Sequence, residues 1–421
     1  MKIAITSDLY YPMMNGVAVF AHNLAHGLAK RGHEVMVFCP SFTGKEHKHT
    51  QDGVTVVSHK SVRVPLYPDA ITPVGKKKEV LGIKMPRVFY KNGIWAATYP
   101  YPTMKKELQK FQPDVIHNQT AETVALAAQT YAQRYDVPMV STGHAYPDNI
   151  TGQFKALKPI KKPLDAMLRA YMASFLKHSE YATMPTELAI HDLVPKNRKR
   201  FKVPVEPLSN GVDLTQFSAG KAPDEIYEKY NLPKNRPIVL YVGRVDPEKS
   251  IEYPLQAFAK VHAKIPEALM VIVGDGTARE KLEKMAIELG IADDVRFLGK
   301  IVLPELADVY RIGSLFVTAS ETETQGIVLI EALASGLPLV AVDAGAVSEL
   351  CQDGKDGILC QPKDVNGLAK AMIKILQDKD LCKRYSKAGL EIANFHDLNR
   401  TLTRFEEIYK EAIASKNHAS A

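Results

Sequence analysis

The chain has 421 residues, of which 46% are hydrophobic and 24% charged, and this composition excludes disordered, collagen-like and disulfide-framework proteins. Because a single hydrophobic core stops growing at about 250 to 300 residues, the length predicts two domains. The four cysteines lack the spacing of zinc sites, and no apolar run reaches the roughly 18 residues of a membrane span. We therefore expect a reduced, cytosolic protein without a structural metal.

Charge is divided unevenly along the chain. Residues 1–205 hold 28 Lys and Arg against 15 Asp and Glu, a net +13, whereas residues 206–421 hold 26 against 32, a net −6. A basic half suits an anionic partner such as nucleic acid or lipid headgroups, although solubility alone tolerates the same bias.

The first half alternates short β-branched runs with helical patterns. Strands are predicted at residues 3–5, 35–38, 54–57, 115–116 and 139–140. Helices are predicted at residues 20–28 and 124–131. This alternation is typical of a parallel α/β sheet with helices on both faces. Segment 61–103 is irregular and rich in Pro and Tyr, and loops of this length in compact domains are usually functional or mobile.

The same pattern restarts after residue 205. Strands are predicted at residues 238–242, 269–273, 295–298, 315–317 and 339–342. Helices are predicted at residues 251–264, 277–289, 304–311 and 326–335. We expect one α/β domain over 1–205, a second over 206–390, and a helical segment over 391–421 that packs back on the first domain. A cleft between the two doubly wound sheets is the expected binding site.

The most informative stretch runs from Ser320 to Pro338, where a predicted strand leads through a polar loop into a helix that begins near Gly326. The free N–H groups of the helix start form an anion site, and glycine lets a phosphate approach the backbone. Glu331 lies in an otherwise apolar helix, and burying an unpaired carboxylate is costly. We interpret Glu331 as directed at ligand hydroxyls, with a glutamate on the helix surface or in a structural ion pair as the alternative. Glu323 is interpreted as a second acceptor.

Arg244 and Lys249 follow the predicted strand 238–242, at the edge where parallel α/β sheets bind ligands. Two cations beside a helix N-terminus suit a diphosphate and its charged leaving group, whereas cations near a turn are often only solvated. Gly274 adds a glycine turn at the end of a neighbouring strand, which is a weak signal by itself.

In the first domain, a loop from Asp8 to Gly16 follows the first strand, and His117 and His144 each come just past later strands. None of these loops contains Gly-x-Gly-x-x-Gly, which argues against a dinucleotide-dependent dehydrogenase. A lone histidine is more often structural than catalytic, but the place of His144 at the carboxyl end of a strand also fits a catalytic role.

Together these residues resemble the retaining GT-B glycosyltransferases of family 4, over nearly the whole chain. The matching positions are residues 15–17, 32–35 and 210–213, the cations Arg244 and Lys249, and the pair Glu323 and Glu331, which fits the Glu-x7-Glu motif of the family. The resemblance implies two Rossmann-like domains facing each other across a cleft.

The resemblance also implies a donor site in the second domain. Glu331 would hold the ribose of a nucleotide sugar and Glu323 the donor sugar, while Arg244 and Lys249 would bind the diphosphate. The remaining donor positions are Gly274, Gln325, Gly326 and Ile327. No metal and no other cofactor is implied.

In the first domain, the resemblance implies that Gly16 closes over the phosphates and that His144 lines the reacting sugar and the acceptor. The anomeric configuration is retained, by attack on the face from which the nucleotide departs. Ser250 replaces a common glycine of the family, and Asn118-Gln119 replaces a second histidine, so no role is assigned to that pair.

The acceptor is suggested by segments 143–148 and 323–327, which resemble the branch that makes monoglycosyl diacylglycerols. A predicted helix nearby has an apolar stripe with basic neighbours. The apolar residues are Leu164, Met167, Leu168, Tyr171, Met172 and Phe175, and the basic ones are Lys158, Lys161, Lys162, Arg169 and Lys177. This pattern fits an interfacial helix on an anionic membrane and, equally, a helix packed on its own domain.

We therefore expect a hexosyltransferase, peripheral on the inner face of the cell membrane, that transfers glucose from UDP-glucose to 1,2-diacylglycerol. Another lipid or a growing polysaccharide is the alternative acceptor. A non-catalytic protein that binds a nucleotide sugar or nucleic acid is the alternative from another class. The four charged donor-site residues argue against lost catalysis, and no nucleic-acid module explains the basic half.

Overall fold

The computed structural model describes residues 1–13, 15–64, 79–80, 83–84, 95–144, 151, 159–194 and 201–420. The chain forms two compact units, Met1–Asn210 with Asn399–Ala421, and Gly211–Leu398. Both are α/β, as predicted, with helices packed on mainly parallel sheets.

The first unit is built on a sheet that, within the described residues, has eight strands in the order β12-β11-β10-β9-β1-β2-β4-β3. Its strands are parallel except for β3, which pairs antiparallel with β4 at the edge. Two short antiparallel pairs, β5-β8 and β6-β7, lie outside this sheet. The strands of this unit are β1 (Lys2–Thr6), β2 (Glu34–Pro40), β3 (His47–Gln51), β4 (Val54–His59), β5 (Ser61–Arg63), β6 (Glu79–Val80), β7 (Ile83–Lys84), β8 (Trp95–Ala97), β9 (Val115–Asn118), β10 (Met139–Thr142), β11 (Tyr181–Met184) and β12 (Val205–Pro207).

Two helices of the first unit, α1 and α5, begin with a first turn that is capped by a side chain, Asn15 and Thr186. The Asn15 side chain, for example, accepts a hydrogen bond of 2.9 Å from the Ala18 amide at the start of α1. The described helices are α1 (Gly16–Lys30), α2 (Tyr101–Phe111), α3 (Thr123–Tyr135), α4 (Lys161–Leu176) and α5 (Glu187–Leu193).

The second unit has a fully parallel sheet of six strands in the order β15-β14-β13-β16-β17-β18, and all of its residues are described. Along β13, Val239 and Tyr241 face one hydrophobic core while Leu240 and Val242 face the other. A strand buried on both faces explains why the sequence is apolar throughout rather than alternating. The strands are β13 (Ile238–Val242), β14 (Leu269–Val273), β15 (Val295–Gly299), β16 (Leu315–Val317), β17 (Leu339–Val342) and β18 (Gly357–Cys360).

Five helices of the second unit, α7 to α11, connect these parallel strands by crossovers, while α6 precedes β13 and α12 and α13 follow β18. They are α6 (Asp224–Lys229), α7 (Glu252–Lys264), α8 (Arg279–Glu288), α9 (Glu305–Tyr310), α10 (Ile327–Ala334), α11 (Val347–Leu350), α12 (Val365–Gln377) and α13 (Lys379–Phe395). The predicted helices of this region, 251–264, 277–289, 304–311 and 326–335, correspond to α7 to α10.

The last helix, α14 (Leu398–Ser420), returns to the first unit. Phe405 and Tyr409 are fully buried, and Arg31 on α1 lies 2.9 Å from Glu406. A Cβ on Gly27 of α1 would come within 2.5 Å of Leu402, so glycine lets the two helices approach closely.

Strand order reverses once in each sheet, between β1 and β9 in the first unit and between β13 and β16 in the second. In doubly wound sheets, the carboxyl ends of the strands at such a switch point form the ligand crevice. The four charged residues of the predicted donor site follow β13 and β16, so the topology brings them to one place.

Candidate functional site

The loop after β13 carries Arg244 on a half-exposed side chain. Its Nη1 lies 2.7 Å from Asp246 Oδ2, and its Nη2 also pairs with Glu248. The turn itself is anchored by Tyr241, whose hydroxyl donates a 2.9 Å hydrogen bond to the Arg244 carbonyl. The guanidinium is therefore held at the carboxyl edge of the sheet by two carboxylates that an anionic ligand can replace.

Lys249 and Glu323 form an ion pair across the switch point. Lys249 ends a short 3-10 helix after β13, and its Nζ lies 2.6 Å from Oε1 of Glu323 in the loop after β16. Burial opposes ionisation of Glu323, but the charge and hydrogen bond of Lys249 outweigh it and lower the pKa of the carboxyl. The structure thus joins two residues that are 74 positions apart in the sequence.

Gly326 forms the entry to α10 with a left-handed backbone, φ +79°. A Cβ at this position would lie 2.5 Å from Leu329 Cδ1, so the turn requires glycine on two counts. The first turn of the helix that follows presents backbone amides, and it comes directly after the loop that carries Glu323, the partner of Lys249. Gln325 is buried and Ile327 is half-buried at the same turn.

Gly274 and Gly243 form a close contact between the ends of β14 and β13. Gly274 has φ +128°, and a Cβ there would lie 1.8 Å from the Gly243 carbonyl oxygen. No side chain fits at this contact. The backbones of the two turns therefore pack directly against each other, next to Arg244. Gly274 contributes to this region through its backbone alone.

Glu331 is partly buried on α10 and does not belong to an ion pair in the second unit, which is described throughout. Tyr310 at the end of α9 donates a 2.6 Å hydrogen bond to its Oε2. Desolvation by the apolar surroundings raises the pKa of the Glu331 carboxyl to about 7, although the Tyr310 hydrogen bond opposes this rise. The sequence analysis did not identify Tyr310, because a tyrosine in an apolar stretch ordinarily indicates only core packing.

In the first unit, Gly16 is exposed and begins α1. Asp8, at the end of β1, accepts hydrogen bonds from the hydroxyls of Thr120 and Thr123 and from the Val124 amide at 3.0 Å. The N-terminus of α3 is therefore occupied by a carboxylate of the protein itself. Asp8 has a structural explanation that its position after a strand did not reveal.

His144 follows β10 and is buried against Phe20, with ring centroids 5.1 Å apart. Its Nε2 lies 2.8 Å from Oε1 of Gln119, so the imidazole N–H donates and Nδ1 is the acceptor. Burial lowers the pKa of His144 to about 3, which keeps the ring neutral near pH 7. Gln119, to which the sequence analysis assigned no role, orients this histidine.

His117 lies within β9 rather than just past it, so the prediction that it follows a strand is wrong. Its Nδ1 lies 2.8 Å from the Tyr409 hydroxyl and its Nε2 lies 2.8 Å from Thr142 Oγ1. Both ring nitrogens have partners in the core of the first unit. The residue lies in a central strand, where it pairs with Ile5 on one side and Val140 on the other. Because both ring nitrogens are already bonded within this core, His117 has a structural role.

The predicted amphipathic helix is α4, and its apolar residues are divided between core and solvent. Phe175 is buried, whereas Met167 and Tyr171 are 61% and 43% exposed. Arg169 pairs with Asp192 at 2.9 Å. Of the predicted basic neighbours, Lys158 lies outside the described residues. The buried Phe175 supports the prediction that the helix packs on its own domain. The exposed Met167 leaves apolar surface on its outer side.

Among the helices that the structure describes, none combines the length and hydropathy needed to span a bilayer. In the same part of the chain, no three His, Cys, Asp or Glu side chains converge as a metal site.

Two known families match the chain, one in each half. Residues 14–216 match Glycosyltransferase Family 4, and residues 223–391 match Glycosyl transferases group 1. These matches and the switch-point site define the class as GT-B glycosyltransferases. The chain belongs to the glycosyltransferases of group 1, with a family 4 domain at its amino terminus.

Several enzymes are similar to the chain in sequence. Sulfoquinovosyl transferase SQD2 of Arabidopsis thaliana is 29% identical over 74% of this chain, which spans 59% of that protein. Alpha-monoglucosyldiacylglycerol synthase of Streptococcus pneumoniae is 26% identical over 99% of this chain and 87% of its own length. Glycogen synthase of Mycobacterium tuberculosis is 27% identical over 98% and 95%.

Solved structures agree on the fold. Sucrose-phosphate synthase from Thermosynechococcus elongatus aligns with a TM-score of 0.74 at 20% identity, covering 98% of this chain and 99% of that chain. Anabaena HepE, solved in complex with UDP and glucose, aligns with a TM-score of 0.70 at 17% identity over 97% and 99%. At these identities the likeness shows the GT-B fold alone.

Proposed function

We propose that this glycosyltransferase transfers glucose from UDP-glucose, with retention of configuration, to a membrane lipid such as 1,2-diacylglycerol. The observation that carries the donor half is the convergence of Arg244, Lys249, Glu323 and Glu331 at the switch point of the second unit. This set offers two cations for a diphosphate and two carboxylates for hydroxyl groups, with no metal in any role.

Diphosphate binding exchanges one set of ion pairs for another. The Arg244 pairs with Asp246 and Glu248 lie near the surface, where such pairs are worth about 1 kcal/mol or less, so a diphosphate displaces them at low cost. When a phosphate oxygen replaces Glu323 as the ion-pair partner of Lys249, the Glu323 carboxylate loses its contact with the ammonium group. Glu323 then becomes free to accept hydrogen bonds from hydroxyls of the donor sugar.

The leaving group is stabilised by the same residues. As the bond between the sugar and the diphosphate breaks, negative charge grows on the departing phosphate beside Arg244, Lys249 and the free amides after Gly326. Fixed donors aimed at charge that develops in the transition state commonly supply several kcal/mol. His144, which is neutral at pH 7, contributes through Nδ1 as a hydrogen-bond acceptor for a sugar or acceptor hydroxyl rather than as an acid.

A lipid acceptor is supported by the exposed apolar patch of α4 and by the excess of basic residues in the first half of the chain. Met167 and Tyr171 are exposed one turn apart on α4, and the same helix carries the exposed Lys162. Apolar side chains beside lysines are the combination that places a helix at an anionic membrane surface. The similarity to alpha-monoglucosyldiacylglycerol synthase over 99% of the chain points to the same acceptor class.

The experiment that tests this proposal is a screen with the purified enzyme. UDP-glucose, UDP-galactose and GDP-mannose are each presented with diacylglycerol in anionic vesicles and, separately, with glycogen. We expect glucose from UDP-glucose on diacylglycerol. Transfer to glycogen but not to lipid would replace the lipid acceptor with a polysaccharide, the second candidate, which is supported by the similarity to glycogen synthase over 98% of the chain.

A further inference from the structure

Tyr310 is the polar partner that the second unit provides for Glu331. The Tyr310 side chain is fully buried, packed edge-on against Phe217 at 5.6 Å and stacked on Phe316 at 6.3 Å between ring centroids. These contacts fix the ring, and its hydroxyl lies 2.6 Å from Oε2 of Glu331. Because the Tyr310 ring is packed between two aromatic rings, its hydroxyl is a hydrogen-bond donor of fixed position, unlike a flexible lysine or a water molecule.

The bond is selective for one carboxylate oxygen. Because Tyr310 donates to Oε2, Oε1 keeps both lone pairs, and a carboxylate can accept further hydrogen bonds from neighbouring hydroxyls. The titratable groups that act on this pair come from two elements, Tyr310 from α9 and, beyond it, Tyr241 from β13. Neither carries a positive charge, so the ionised form of Glu331 is stabilised by the Tyr310 hydrogen bond rather than by an ion pair.

We propose that Tyr310 is a positioning residue for the donor: its hydrogen bond to Oε2 of Glu331 favours the ionised carboxylate, whose remaining lone pairs accept hydrogen bonds from the vicinal diol of a nucleotide ribose. This inference rests on the proposed function, in which Glu331 binds the ribose of a nucleotide sugar. It assigns a role to a residue that contacts Glu331 rather than the substrate.

The pH dependence of donor binding follows from this arrangement. Burial raises the pKa of Glu331 to about 7, and the hydrogen bond from Tyr310 favours the ionised form and so limits the rise. Removing the phenol hydroxyl should raise this pKa by about one unit, and one unit corresponds to a tenfold change in the ionised fraction on the acidic side. Donor affinity should therefore weaken below neutral pH and stay unchanged well above it.

The test measures the affinity of the intact protein for UDP-glucose, without acceptor, by calorimetry from about pH 6 to pH 9, a range in which the diphosphate diester has no titrating group. Three variants are compared with the wild type: Tyr310→Phe, Glu331→Gln and, as a matched control, Tyr230→Phe. Tyr230 donates a 2.8 Å hydrogen bond to Glu305 in the same unit, so the control removes an equivalent Tyr–Glu bond elsewhere.

We expect Tyr310→Phe to move the acid limb upward by about one pH unit and to weaken binding about fivefold at pH 7 and about tenfold at pH 6, with wild-type affinity near pH 9. Glu331→Gln should bind weakly with no acid limb, and the control should match the wild type. Uniform weakening of Tyr310→Phe at every pH, or an unmoved limb, would overturn the positioning role alone. Wild-type affinity of Glu331→Gln at every pH would overturn the ribose assignment in the proposed function as well.

Discussion

At the residue scale, the two carboxylates of the donor site sit in opposite environments. Glu323 has a lysine at 2.6 Å, which lowers the pKa of its carboxyl, whereas Glu331 has only a phenol and its pKa rises to about 7. The two glutamates of one motif therefore differ in how readily they ionise. Glu323 is ionised through a partner that a diphosphate competes for, and Glu331 carries a desolvation cost that a ligand can relieve.

That cost should be visible as a pH-dependent stability of the empty protein. Below the ordinary value of 4.5, Glu331 is neutral in the folded and unfolded states; above about pH 7 it is charged in both, and the folded state bears the desolvation. Glu331→Gln should therefore stabilise the protein by on the order of 2 kcal/mol at about pH 8, with a smaller gain at about pH 5. Calorimetric melting at the two pH values measures this.

The matched control for that stability measurement is Glu288→Gln on the exposed surface of α8, which should leave the melting temperature unchanged at both pH values. If Glu331→Gln melts like the wild type at the higher pH, the carboxylate is well solvated and the raised pKa is wrong.

Removal of either proposed diphosphate-binding cation, Lys249 or Arg244, should abolish turnover. Lys249→Met and Arg244→Met each keep much of the apolar stem while deleting a charge beside the leaving diphosphate, so kcat/KM should fall at least about a hundredfold. Lys284→Met, on the exposed surface of α8, is the control because it removes a lysine from a solvent-exposed ion pair with Glu280. Near-normal kinetics of a folded Lys249 variant would remove that residue from the site.

The sequence revealed these charged residues because charge at the end of an apolar strand or inside an apolar helix is conspicuous. It could not reveal Tyr310 or Gln119, whose roles depend on a hydrogen bond to a residue 21 or 25 positions away. Nor could it show that the Asp8 carboxylate accepts hydrogen bonds from the threonines and the Val124 amide at the start of α3. Such pairings arise from tertiary packing, and no local pattern encodes them.

At the element scale, the prediction was most successful where a strand is buried on both faces. The runs that became β13 and β14 are continuously apolar, so their type and extent were clear. Short strands such as β11 and β12, and the antiparallel edge strand β3 with its exposed His and Lys residues, had too little pattern to identify. The fold class could be predicted, but not these edges.

The turn between β13 and α7 shows a strained element. Ser250 has φ +53°, which lies in the left-handed region that favours glycine. Ser250→Gly should therefore stabilise the second unit by up to about 1 kcal/mol, since relief of strain exceeds the entropy that glycine adds to the unfolded chain. Chemical denaturation followed by fluorescence measures the change.

Gly290 provides the opposite test of the same physics. It has φ +69°, and a Cβ there would meet nothing within 4 Å, so Gly290→Ala introduces backbone strain without a clash. It should destabilise the unit by about 1 kcal/mol. A Ser250→Gly variant that is less stable than the wild type would show that the serine turn is not strained.

At the scale of the whole molecule, charge and exposed apolar surface coincide in the first half of the chain. Residues 1–205 carry a net +13, and the exposed Met167 and Tyr171 of α4 belong to the same half. An enzyme that acts on a lipid hydroxyl must reach the headgroup level of a bilayer. Basic residues contribute on the order of 1 kcal/mol each near an anionic surface, and inserted apolar side chains add to this.

Vesicle binding should therefore rise with anionic lipid and fall as salt shortens the Debye length. Met167→Glu should weaken binding by about tenfold, since it replaces an inserting side chain with a repelled one. Ile287→Glu is the matched control, because Ile287 is similarly exposed but lies on α8 in the acidic half. Binding that is indifferent to salt, anionic lipid and Met167→Glu would contradict the membrane role and favour a soluble acceptor.

The proposed reaction is tested by the anomeric configuration of the product formed from UDP-glucose and diacylglycerol in anionic vesicles, determined by NMR. We expect a monoglucosyl lipid with the α-configuration of the donor, formed without added metal and absent with Lys249→Met. A β-linked product would contradict retention. No glucosyl lipid from a folded enzyme that binds UDP-glucose would contradict the acceptor.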